Sequence, residues 1–233
     1  MTQYKLLDPL EVVATTEALT TRIRNRFAES DLYQVSMALH ALAKQAQERA
    51  IWMAKPLWWM RLLLLLLVAA GAWLLVYARS ALDVTVGAFT VPEFVQALEA
   101  GTSELLIVGA GVVFLVGIET RVKRARGLKA LHELRALAHI IDMHQLTKDP
   151  ARLDRRSDLW TAASPESNLD GFLLTRYLDY CSEMLSLLGK IAALYSQRID
   201  DPVLLDSVDD IEDLTTTLSG KIWQKIMVVA VQK

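Results

Sequence analysis

The chain has 233 residues, 53% of them hydrophobic and 22% charged, with a formal net charge of -2. Such a balance gives no basis for a nucleic-acid partner, whose phosphates call for a concentrated basic surface. The single cysteine, Cys181, cannot form an intrachain disulfide, which suits a reducing compartment and a small buried apolar residue.

Residues 1–55 read as two helices. Asp8-Pro9 followed by Glu11 is a helix start: a cap, a proline in the first turn, an early carboxylate. Leu10, Val13, Leu19 and Ile23 follow at helical spacing. Ser30 or Asp31 opens the second helix, with Leu32, Val35, Leu39, Leu42 and Ala43 as its apolar stripe. It runs toward Met53, and Pro56 marks a bend. Glu11, Glu17 and the arginines at 22, 24 and 26 leave no apolar core for a cleavable signal peptide.

Residues 56–79 form the first expected transmembrane helix. Leu62–Ala78 is a run of 17 residues without a charge, and it opens with six leucines that leave no polar face. It rises about 26 Å, and Pro56–Met60 extends it because Arg61 can snorkel its head group to the interface. Trp52, Trp58 and Trp59 cluster at the entry and Tyr77 lies near the exit, an aromatic belt.

Residues 80–101 are a short periplasmic loop. Thr90-Val91-Pro92-Glu93 repeats the helix-start pattern, Phe94, Val95 and Leu98 form an apolar face, and Gly101 is read as its end. This predicts a small interfacial helix, in a loop too short to be a ligand-binding domain with its own core.

Residues 102–121 form the second expected span. Leu105–Ile118 holds 14 residues without a charge, with Glu104 and Glu119 at its two edges and Thr102 or Ser103 as a cap. Basic residues precede span one, and Arg121, Lys123, Arg124, Arg126 and Lys129 follow span two, whereas the loop between residues 80 and 103 has none. The positive-inside rule then predicts a multi-pass inner-membrane protein with both termini cytoplasmic, Arg79 being the one dissenting charge. Trp52, Trp58, Trp59, Arg61, Arg121, Lys123 and Arg124 are the expected membrane-interface residues.

Residues 122–147 continue as a cytoplasmic helix whose Leu131, Leu134, Ala138 and Ile141 make a short heptad-like seam, suited to a coiled coil or to packing on the N-terminal helices. Residues 148–168 read as loop. Residues 169–233 read as a helical hairpin: an amphipathic helix over Leu169–Arg198, then Asp201-Pro202 capping a helix that carries Val203, Leu204, Val208, Ile211, Leu214, Leu218, Ile222 and Ile226. Residues 120–160 carry ten basic against five acidic side chains, and residues 161–233 carry six against eleven. The basic stretch suits an anionic lipid surface, and the acidic tail suits a basic partner.

Few clusters point to chemistry. His132, Arg135, His139 and Asp142 share a helical stripe, but the two histidines stand about 10 Å apart along the axis, too far for one ion. The acids at 206, 209, 210 and 213 share a face that reads as solvated or as a docking surface for a basic partner. Gly109, Gly117 and Gly71 are read as helix-packing positions, since small residues let helices approach closely. Glu119 is a candidate pore acid. No Ser-His-Asp arrangement, P-loop, CxxC or nucleophile elbow occurs, so no enzyme, cofactor or small-molecule substrate is expected.

The expected fold is therefore all-α: a two-span transmembrane helical hairpin with a cytoplasmic helical bundle built from both termini. The expected role is a membrane-anchored scaffold or adaptor that forms a homo-oligomer or docks a cytoplasmic protein. The alternative is an oligomeric pore. In plan, though in no particular residue, the chain resembles channels of the mitochondrial calcium uniporter type.

Overall fold

The computed structural model describes residues 6–53, 58–81, 91–150, 169–197 and 201–231. Among these there are six α-helices and no strand: α1 (Pro9–Phe27), α2 (Asp31–Met53), α3 (Trp58–Ala81), α4 (Val91–Leu146), α5 (Gly171–Ser196) and α6 (Pro202–Val231). The chain divides into two compact units, one of Met1–Ala54 with Arg124–Lys233, the other of Lys55–Lys123.

The first unit is a helical bundle. Asp8 caps α1 through its side chain, which accepts from the Leu10 amide at 2.9 Å, and Pro9 fixes the first turn. Val12, Thr16, Leu19, Ile23 and Phe27 follow at intervals of three and four and are all buried. A tight turn closed by the Ser30 amide on the Phe27 carbonyl (3.1 Å) sends α2 back antiparallel. Two polar contacts fix their register: Thr16 Oγ1 with His40 Nδ1 at 2.9 Å, and Thr20 Oγ1 donating to the Ser36 carbonyl at 3.2 Å.

The most enclosed helix is α5, whose Leu178, Cys181, Met184, Leu185, Leu188, Ile191 and Ala192 are inaccessible to solvent. Its broad apolar face meets α1, where Phe27 stands edge-on to Tyr177 and Tyr180 with centroids 5.6 and 6.2 Å apart. It also packs against α6, and its helix is Gly171–Ser196, capped by Asp170, where the sequence pattern predicts Leu169–Arg198.

Within this unit α4 contributes its second half. The seam of Leu131, Leu134, Ala138 and Ile141 is buried, together with Ala130 and Leu137. It packs inside the bundle rather than forming an isolated coiled coil. Gly127 lies so close to α6 that a Cβ there would stand 2.6 Å from Leu204 Cδ1. Contacts Arg124–Asp201, Arg135–Asp210 and Gln145–Lys225 advance together along both helices, so α4 and α6 run parallel.

The second unit pairs α3 with the first half of α4. A Cβ on Gly71 would lie 2.9 Å from Val108 Cγ2, and one on Gly111 would lie 2.7 Å from Leu67 Cδ2. The two pairs run in opposite order, so the helices are antiparallel. Of the glycines expected to pack, Gly71 does so, but Gly109 and Gly117 have nothing within 4 Å. They share a face eight residues apart, yet it is Gly111, on another side of the helix, that meets α3. We expect Gly111→Val to weaken this helix pair by about 1–3 kcal/mol through overpacking on Leu67. Gly109→Val, with the same helix propensity, is the control that leaves the pair intact. Helix content on heating the solubilised protein separates the two.

Gly101 does not end a helix. Thr102 donates to the Leu98 carbonyl at 2.7 Å inside α4 instead of capping a new one. The expected interfacial helix and second span are thus one helix, because nothing at Gly101 requires a left-handed turn and its neighbours favour continuing. Thr90, Pro56 and most of the loop before residue 169 lie outside the described residues.

Among the described residues one helical segment, Gly101–Leu146, is long and apolar enough to cross a membrane; its most apolar stretch has mean hydropathy 2.0, with none of it buried. Trp58–Leu74 is a shorter apolar helix.

Candidate functional site

A cleft of about 350 Å3 lies between α2 and α4, lined by Glu48, Arg49, Trp52, Arg126 and Lys129. Helical spacing builds it. Glu48, Arg49 and Trp52 stand within one turn of α2, and Arg126 and Lys129 lie three apart on α4.

Each cation is held differently. Arg49 donates to Glu133 Oε2 and to Gln45 Oε1, both at 3.0 Å. Burial works against its charge, but Tyr195 and Glu133 outweigh that and hold its pKa above the usual guanidinium value. Arg126 lies over the Trp52 indole, its Cζ 4.2 Å from the ring centroid. Lys129 is exposed, and among the described residues neither it nor Arg126 has a carboxylate within ion-pair distance. The cleft thus presents an aromatic wall, the Glu48 carboxylate, and two cations that make no ion pair among the described residues. Chemically it suits an anion with an apolar or aromatic-tolerant body.

Comparisons of the chain with family models, curated proteins and solved structures found no match.

The expected membrane-interface residues fall into both units. Trp52 enters the cleft and Arg124 binds Asp201, both in the bundle. In the second unit Trp58, Trp59, Arg61 and Arg121 are exposed, and Lys123 pairs with Glu119 at 2.8 Å. The pore candidate Glu119 therefore already has a cationic neighbour. A different acid draws attention: Glu104 Oε1 is buried with no hydrogen-bond partner among the described residues, 3.5 Å from where a Cβ on Gly71 would sit.

The histidine stripe does not converge. His132 and His139 are exposed, while Asp142 accepts from Gln145 Nε2 at 2.7 Å. Among the described residues no three His, Cys, Asp or Glu side chains stand where they could hold one metal ion. Asp206, Asp209 and Asp213 are exposed, and Asp210 pairs with Arg135 at 2.9 Å.

Two buried polar arrangements support the bundle. Asp201, 2% exposed, receives Arg124 at 2.7 Å and caps α6 through the Leu204 amide at 3.1 Å. At the end of α4, Lys225 Nζ donates to the Gln145 carbonyl at 2.8 Å, placing a cation at the helix C-terminus. Burial lowers the Lys225 pKa, partly offset by Asp149 and Asp142. Nearby, burial pushes the Cys181 thiol up to about 12, which keeps it unreactive.

The cleft was half legible in the sequence. Trp52, Arg126 and Lys129 stand out as a belt residue and as inner-side charges. Their meeting depends on α2 packing against α4, which no local pattern encodes.

Proposed function

We propose that the chain is a two-span inner-membrane protein whose cytoplasmic bundle serves as a scaffold or adaptor, self-associating or docking a cytoplasmic protein. One observation carries the membrane part. In the second unit Leu62, Leu65, Leu66, Trp73, Leu74, Leu105, Ile107, Val113 and Phe114 are each at least half exposed. A continuous apolar exterior of that size needs lipid or protein to cover it. The distribution of Lys and Arg supports an arrangement with both ends inside. For the adaptor part, the support is a bundle with its own core, an exposed acidic stripe and exposed Trp223 and Met227 on the last helix.

Reporter fusions at residues 1 and 233, and within the loop near residue 85, are expected to place both termini on the cytoplasmic side and the loop outside. Termini on opposite sides would remove the hairpin. Cross-linking in cells is expected to capture either a second copy or one repeated partner, with capture reduced by Asp206→Lys/Asp213→Lys.

Glu104 favours a second reading, an oligomeric pore. A carboxylate oxygen without a partner beside an apolar helix is costly unless an ion, water or a neighbouring copy meets it. Ion flux through liposomes that Glu104→Gln abolishes would favour the pore over the adaptor.

A further inference from the structure

We propose that the Trp52–Arg126–Lys129 cleft is a binding site for the phosphate headgroup of an anionic phospholipid. The inference rests on the membrane reading for the source of the ligand, while the cleft's preference for a phosphate stands on the bundle alone.

Three features point to phosphate. Arg126 lies over the Trp52 ring, its Cζ 4.2 Å from the centroid, a contact that uses the cation's charge and leaves its N–H donors for an acceptor. Lys129 follows one turn later as a mobile point charge, and neither has a carboxylate partner among the described residues. The fixed cation, Arg49, is already neutralised by Glu133, so it shapes the wall without competing for a second anion. At about 350 Å3 the cleft admits a headgroup and not a whole lipid.

The source follows from chain position. Arg126 comes eight residues after Ile118, the last residue of the charge-free run. Trp52 precedes the other run, which begins at Leu62, by ten residues. A cleft joined by so few residues of chain to two segments read as lipid-covered meets headgroups at a higher local concentration than soluble phosphate. With Arg126 and Lys129 against the single carboxylate of Glu48, the lining keeps a net positive charge that favours anionic over zwitterionic lipid. An acyl chain leaving the cleft would pass the indole, whose amphipathic ring suits the boundary between headgroup and tail.

The test is a titration of the full-length, detergent-solubilised protein with phosphatidylglycerol, phosphatidylcholine and glycerol phosphate, read by native mass spectrometry. Phosphatidylglycerol is expected to bind at least tenfold tighter than phosphatidylcholine. Arg126→Gln/Lys129→Gln is expected to remove roughly tenfold of that affinity. Trp52→Leu, which changes no charge, is expected to weaken binding several-fold. Lys190→Gln/Lys221→Gln changes net charge equally at other exposed positions and is expected to leave binding intact. Both double variants replace exposed side chains, and their melting confirms that they fold. Equal loss in the two double variants would reduce the effect to general charge and overturn the site. Glycerol phosphate binding as tightly as the lipid would overturn the lipid assignment. A chain that stays dissolved without detergent would instead overturn the membrane reading, while leaving glycerol phosphate to report on the cleft.

Discussion

Arg124→Ala is expected to destabilise the bundle by roughly 3 kcal/mol, the lower end of the range for stripping one partner from a buried ion pair. The exposed member is Arg124, at 37%, so little of its own solvation is at stake. The cost comes from Asp201, which would keep its burial and lose its three guanidinium contacts, at 3.0, 2.8 and 2.7 Å. Only backbone donors such as the Leu204 amide would remain. Burial raises the Asp201 pKa, but Arg124 and the α6 amides outweigh it and hold the carboxyl below its ordinary range. A carboxyl depressed in the folded state contributes fully above its unfolded pKa, about 4, and its contribution drains away as pH falls through the lower folded value. The gap in melting temperature between wild type and Arg124→Ala should therefore be widest near neutrality and close in acid. An equal gap at pH 7 and pH 3 would show that the ion pair is not its source. Asp201→Asn keeps a capping side chain and should cost less.

Leu188→Ala is expected to cost roughly 3–5 kcal/mol. Leu188 is inaccessible and sits on α5, the helix enclosed by the others, so the surroundings cannot collapse into the space left. For a domain of this size each kcal/mol moves the melting temperature by about 2–4 °C, which puts the loss near 10 °C. Lys190→Ala, two residues on and exposed, is expected to stay within about 0.5 kcal/mol. A loss for Leu188→Ala no larger than that control would mean that α5 is not at the centre of the bundle.

Local rules made much of the fold readable. Asp8-Pro9 and Asp201-Pro202 start helices because a short acceptor side chain and a fixed φ solve the same end problem wherever they occur. The Leu131, Leu134, Ala138 and Ile141 seam was legible because period determines face. Gly101 was misread, since glycine permits a helix end without requiring one. Gly109 and Gly117 were misread because small residues indicate that a close approach is affordable, not which face makes it. Longer-range pairings carry no local trace. The Thr16–His40 bond, Arg124 on Asp201 and Arg126 over Trp52 join residues 24, 77 and 74 positions apart.

The position of α5 late in the chain sets an order for biosynthesis. Leu39, Ala43 and Ala46 of α2 leave the ribosome early, yet the central helix they pack around, α5, begins 118 residues after Met53. At about 5–20 residues per second that is a wait of roughly 6–24 s. Through that interval the nascent chain carries a bare apolar face while its most hydrophobic stretches are still emerging. A transcript cut short before residue 171 would yield a polypeptide with nothing to close it, and quality-control proteases would be its natural fate.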